Sequence, residues 1–345
     1  MLRWTNAPRW ILRVAGLLLL ATLLVPPAAP QAQGRAKVRY VRPFPPDVSI
    51  AWYYVAIDKG YFREAGIDTE VVVGTLGSGG ALQQVITGAG EFASGPADAT
   101  FNAIGQGEQL VAFWQWIKGG IFGIQARRDR GIAKVEDLRG KTIGVLGMAS
   151  ATRYGPLVLL ARAGLKEGDV NMVVLGGGGA AYGPALSRGQ VDALGTWDVP
   201  KWVVETTAGD EAFRKQLVYF PAEDYLPDVF VTTRKYYDAN KENLVKFVGA
   251  MLRGYADVNR DIDEAVRITT KYLPAVASMD PKVSRKTVEI RQASFSSDGR
   301  FDHAAYERAV QLYKQVGLIK VDPAALKLRE ILSNEVPDLV QRTRR

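Results

Sequence analysis

The chain of 345 residues has no cysteine and a single histidine, His303. Without cysteine there is neither a disulfide nor a thiol for lipid attachment. With one histidine, a Ser–His–Asp or Cys–His nucleophile has only His303 to use, and a transition-metal site lacks its ordinary ligands. His303 lies beside Asp302 in a polar helical stretch near the carboxyl end, where a surface position is expected. No metal, cofactor or catalytic residue is expected, since carboxylate-only chemistry would rest on Asp98 and Asp198 alone. Long hydrophobic runs are scarce too. Beyond Val25 nothing approaches the roughly 20 apolar residues that span a bilayer.

The one apolar run lies at the amino terminus. Arg3, Arg9 and Arg13 precede Val14–Val25, and Pro26-Pro27-Ala28-Ala29-Pro30-Gln31-Ala32 follows. A basic start, a short apolar core and a small-residue exit are the marks of a secretory signal peptide. Cleavage is expected between Ala32 and Ala36, with residues 1–35 as the signal and the mature protein in a bacterial periplasm. Loss of these three arginines takes the formal charge from +8 to +5, and cleavage before Ala36, which also removes Arg35, takes it to +4. The remaining basic residues are scattered without an aromatic–basic stripe, so nucleic acid is not an expected partner.

One pattern occurs twice. The first copy runs Tyr61–Asp68, strand Val71-Val72-Val73, a glycine-rich loop through Gly80, a helix ending near Gly88, then Glu91–Gly95 and Asp98. The second runs Leu160–Leu165, strand Met172-Val173-Val174, loop Gly176–Gly179, a helix ending at Gly189, then Val191–Gly195 and Asp198. Strands alternating with helices predict parallel sheets of βαβ units. A continuous helix is expected over 49–65, and a helical pattern runs from Asn240, with Leu244, Phe247, Val248, Met251, Leu252 and Tyr255 on one face. A first lobe is expected over 36–126, a second over 127–224, and a return to the first over 225–345. Two crossings of this kind make a hinge. Gly140-Lys141-Thr142 looks like the end of a phosphate loop, but the required upstream glycine falls at Val135 and a strand follows instead of a helix.

Tyr54–Ile67 resembles the first-helix signature of ABC-transporter substrate-binding proteins of the nitrate, sulfonate and thiamine-precursor group. Val135–Val145 resembles that group's entry into its second lobe. The resemblance implies the α/β, type II periplasmic binding protein fold, with two similar lobes on a two-stranded hinge that close on a small molecule. It also implies a monomer that delivers its ligand to a membrane permease driven by a cytoplasmic ATPase; a sensory binding protein is the alternative role. Pyrimidine synthases of thiamine biosynthesis share the fold but use a histidine and a cysteine-rich iron motif, which are missing here.

Parallel α/β sheets bind ligands beyond the carboxyl ends of their strands. In the loops there, Ser78, Gly79 and Gly80 offer backbone N–H groups at a helix start. Ser150, Thr152 and Arg153 place hydroxyls and a cation opposite. Trp52, Tyr53, Trp116, Tyr154 and Trp197 are candidate ring clamps. Asp98 and Asp198 recur at matching places, and Tyr225 and Asp228 flank the returning strand. Aromatics with acids favour a planar nitrogen heterocycle of the thiamine-pyrimidine kind; Arg153 with two helix amino ends favours a sulfonate, carboxylate or nitrate instead.

Overall fold

The computed structural model describes residues 34–74, 77–176 and 178–344. The expected signal peptide lies outside these residues. The strands, in chain order, are β1 (Ala36–Lys37), β2 (Tyr40–Arg42), β3 (Ile67–Asp68), β4 (Val71–Val73), β5 (Phe92–Pro96) and β6 (Leu110–Gln115). They continue as β7 (Phe122–Arg127), β8 (Thr142–Val145), β9 (Asn171–Val174), β10 (Ala193–Trp197), β11 (Leu217–Pro221) and β12 (Asp228–Thr233). Ten of them build two five-stranded sheets, ordered β4-β2-β5-β12-β6 and β9-β8-β10-β7-β11.

The two orders match place for place. In each sheet the first three strands are parallel, and they carry the two copies of the repeated unit. The fourth is antiparallel to them: β12 beside β5, and β7 beside β10. The sheets are therefore mixed, and the expectation of purely parallel sheets is corrected. A strand that arrives directly from the other lobe, without a crossover helix, enters in the opposite sense. One expected boundary also moves. Phe122–Arg127 pairs throughout with β10 and β11, so the chain leaves the first sheet between Gln115 and Phe122, not at 126. It returns between Pro221 and Asp228.

The expected helix over 49–65 is interrupted. It forms as a short turn at Val48–Ile50 and helices Ala51–Asp58 and Tyr61–Glu64, with Gly60 between them at φ +76°. That left-handed backbone suits glycine and ends the first helix. A helix over Arg234–Arg260, kinked at Asn240, packs along Ala51–Asp58. The approach is close enough that a Cβ on Gly254 would collide with the Trp52 carbonyl oxygen. Around this contact Tyr40, Trp52, Tyr53, Phe92, Phe113, Phe230 and Phe247 form an aromatic core on the first sheet. Its centre is the stacked pair Tyr40–Phe92, with ring centroids 4.9 Å apart. A separate cluster, including Ile124, Ile143, Val145 and Leu160, fills the second lobe.

His303 begins the helix His303–Gln315 and is partly buried, its Nε2 2.9 Å from the Leu332 carbonyl. No helix among the described residues is long and apolar enough to cross a membrane.

Candidate functional site

Where the strand ends of the two sheets face each other lies a narrow cleft, with a cavity volume of about 30 Å³. The first lobe supplies Arg42 at the end of β2, Phe44 from the proline-rich loop after it, Ser49 from the turn Val48–Ile50, and Ser78 from the helix Gly77–Ile86. The second supplies Leu146, Ser150 and Thr152 after β8, and Trp197 at the end of β10. The first crossing adds Trp116 and Ile121, the start of β7 adds Phe122, and the start of β12 adds Asp228. Arg291 enters from the helix Pro281–Ser294, which packs against both the Val48–Ile50 turn and the helix after β10.

The hydroxyls on the second-lobe side are largely engaged in holding their own loop. Ser150 caps the helix Ala151–Arg162, its Oγ accepting from Thr152 N at 3.3 Å. Thr152 Oγ1 accepts from Leu146 N at 2.8 Å. Opposite, Gly79 N donates to the Ala149 carbonyl at 3.4 Å, which brings the two glycine-bordered helix starts together. Phe44 and Trp197 meet across the cleft with ring centroids 5.4 Å apart. Behind Phe44, the Arg42 guanidinium carbon stands 4.5 Å from the ring centroid.

Several buried polar atoms at the cleft have no hydrogen-bond partner: Nε and Nη1 of Arg42, Nε of Arg291, Nε1 of Trp116 and Oδ1 of Asp228. Arg42 is 1 % exposed and Arg291 4 %. Unpaired buried groups of this kind are costly in a binding-free protein core, and they are the groups a polar ligand would satisfy. Burial pushes the Asp228 carboxyl up to about 7, against the opposing pull of Arg291. Burial likewise raises Asp198, again with Arg291 opposing.

Of the residues singled out by sequence, the structure gathers Ser78, Trp116, Ser150, Thr152, Trp197 and Asp228 at the cleft. The others lie elsewhere. Trp52 and Tyr53 are 2 % and 1 % exposed in the first-lobe core, because the helix begins at Ala51 and carries both rings inward. Gly79 and Gly80 lie within the helix Gly77–Ile86 and do not line the cleft. Arg153 is held by Glu167 through 2.7 and 2.6 Å bonds, and with Tyr154 it borders a separate outer groove. Asp98 is 1 % exposed and accepts from the Tyr225 hydroxyl at 2.7 Å, below the cleft. Asp198 stands behind Arg291, 2.9 Å from its Nη2.

Arg42 and Arg291 were not singled out by sequence. For Arg291 a signal exists: it continues the buried face Ser284, Thr287, Val288 at helical spacing, where a cation is out of place. For Arg42 the signal is a cation closing a strand whose three residues are all buried.

The riboflavin-binding protein RibY of Chloroflexus aurantiacus is 25 % identical over 344 residues, covering 90 % of this chain and 89 % of its own. A formylaminopyrimidine-binding protein of Halalkalibacterium halodurans is 24 % identical over 231 residues, covering 64 % and 68 %. Among solved structures, a protein of Bordetella bronchiseptica RB50 superposes with a TM-score of 0.72 at 23 % identity, covering 90 % of this chain and 98 % of its own. The alkanesulfonate-binding protein SsuA of Xanthomonas axonopodis, bound to MOPS, gives 0.64 at 18 % identity, covering 83 % and 95 %. The desulfurization enzyme DszB shares the fold at 0.57 and 17 % identity, covering 90 % and 100 %. These likenesses place the fold with the periplasmic binding proteins. The model of the NMT1/THI5-like family matches residues 47–265, and the chain belongs to that family.

Proposed function

We propose that this protein is an exported solute-binding component of an ABC import system, which captures a planar nitrogen heterocycle in the interlobe cleft. The observation that carries the reading is the set of unpartnered buried donors and an acceptor, on Arg42, Arg291, Trp116 and Asp228, within a cleft bordered by Phe44, Trp116, Phe122 and Trp197. A ring bearing carbonyl oxygens and N–H groups uses both kinds of atom and stacks on the aromatics. A small inorganic anion uses only the donors. The names of the two relatives, one for riboflavin and one for formylaminopyrimidine, agree with this class.

Binding in this reading is a closure. The ligand bridges the lobes and stabilises a closed state that the open form samples less. The closed protein then docks as a monomer on permease subunits served by a cytoplasmic ATPase. Since an enzyme, DszB, shares the fold, the fold does not decide against catalysis. The cleft chemistry favours binding, because no histidine or cysteine lines it.

A thermal-shift screen tests the reading, with riboflavin, pyrimidines, alkanesulfonates, aromatic carboxylates and nitrate as the panel. A ligand that binds only the folded state raises Tm by mass action. A shift confined to the heterocycles is expected. A shift confined to the anions would replace the heterocycle by an anion, and a folded protein with no shift across the panel would contradict both.

A further inference from the structure

Both arginines of the cleft are buried, yet neither brings an uncompensated charge. Arg42 Nη1 has Asp47 Oδ1 at 3.7 Å. Arg291 gives Nη2 to Asp198 at 2.9 Å and Nη1 to the Ser294 hydroxyl at 3.2 Å, which leaves only Nε. Asp198 belongs to the second lobe, as the first residue of the helix Asp198–Thr207, and its Oδ1 also accepts from Val199 N at 2.8 Å. Arg291 comes from a helix packed on the first-lobe turn Val48–Ile50, so the ion pair spans the boundary between lobes. The remaining ionisable group lining the cleft, Asp228, is another carboxyl. The two cations, Arg42 and Arg291, thus meet three carboxyls, Asp47, Asp198 and Asp228. An anion entering this cleft loses its hydration and finds no net positive charge to replace it.

We propose that Asp198 sets the charge class of the ligand: by holding Arg291 across the lobe boundary it leaves a donor without a free charge, so the cleft accepts neutral polar rings and rejects sulfonates and carboxylates. The inference rests on the reading of this cleft as a ligand site and deepens it. Asp198 is a positioning residue here, reaching the ligand only through Arg291. Specificity of this kind is a difference between two affinities, and it arises as much from the group that repels as from the group that attracts.

Calorimetric titration with riboflavin and uracil as neutral probes, and ethanesulfonate as the anion, tests it. The wild-type protein is expected to bind a neutral probe and to ignore ethanesulfonate. Asp198→Asn should improve ethanesulfonate affinity at least about tenfold, in a manner that weakens with added salt. Asp198→Glu should restore the wild-type preference, and adding Arg291→Gln to Asp198→Asn should abolish the gain. A merely structural role for Asp198 would not move selectivity in this pattern. No gain in Asp198→Asn, or a gain that persists without Arg291, overturns the proposal while the ring-binding reading stands. Wild-type protein that binds ethanesulfonate and neither ring overturns that reading, and the proposal with it. Where Asp198→Asn does not fold, Arg291→Gln alone decides. With Asp198 unpaired, N-methylpyridinium should bind at least about tenfold better than to wild type, and no improvement overturns the proposal.

Discussion

Asp98 and Asp198 stand at corresponding places in two copies of one unit, each three residues after a glycine, Gly95 and Gly195. They nevertheless face different parts of the molecule. In the first copy the helix starts at Ala97 behind the cap Pro96, so Asp98 is its second residue. In the second it starts at Asp198 itself behind the cap Trp197. One position along an α-helix is a rotation of about 100°. Asp98 is turned down to Tyr225, in the connection that returns from the second sheet. Asp198 is turned to Arg291 at the cleft. An identical spacing in sequence therefore yields one acid that accepts from a tyrosine in the connection between lobes and one that pairs with an arginine of the cleft, because a single residue shifts where each helix begins.

The comparison can be broken from either side, and the largest effect is expected at the cleft. Trp197→Ala should weaken heterocycle binding at least about tenfold, about 1.4 kcal/mol, as read by calorimetry. It should also lower Tm, since the ring is 7 % exposed and packs on Tyr182 and Phe122. Trp197→Phe, which keeps a ring there, should retain most of the affinity. If Trp197→Ala folds and binds as wild type, the cleft is not the site.

Next comes the pH dependence set by Asp228. With its carboxyl near 7, the ionised form that accepts a ring N–H is lost as the pH falls. Affinity should drop about tenfold between pH 8 and pH 6, and Asp228→Asn should flatten that slope.

A smaller effect belongs to the buried first-lobe acid. Burial raises the Asp98 carboxyl to about 6. Between about pH 4 and pH 6 the folded protein therefore holds this proton more tightly than the unfolded chain, so its contribution to stability grows as the pH falls. In Asp98→Asn, whose side-chain oxygen still accepts from Tyr225, the rise of Tm on going from pH 7 to pH 5 should shrink by a few degrees. Heterocycle affinity should stay within about twofold. An unchanged pH profile would mean that Asp98 is not buried as described. The smallest effect is expected at Arg153. Already held by Glu167 away from the cleft, it should change heterocycle affinity less than about twofold when replaced by alanine.

The repeat was legible because glycines, strand valines and short helices recur in one order, and it maps onto β4–β5 and β9–β10 of the two sheets. The loops that border the cleft were legible for the same reason, since a ligand site at strand ends follows from the architecture. Which side chains point into it was less so. Trp52 and Tyr53, candidate ring clamps at the start of the expected helix over 49–65, are carried into the core by the helix that begins at Ala51 and by the close approach of Gly254. Arg291 belongs to a helix far along the chain, and its place at the cleft follows from tertiary packing that no local pattern near the repeats encodes. The return of β12 to the first sheet was expected from the sequence, whereas the place of β7 in the second sheet was hidden, because strand pairing between distant segments leaves no short-range mark.

The most direct test of the account is a crystal structure of the protein with a heterocycle selected by the thermal-shift screen. The account predicts one molecule in the cleft, its ring against Trp197 and Phe44, with polar contacts to Arg42, Arg291 and Asp228. A ligand bound instead in the outer groove beside Arg153 and Tyr154, with the cleft residues unchanged, would contradict it.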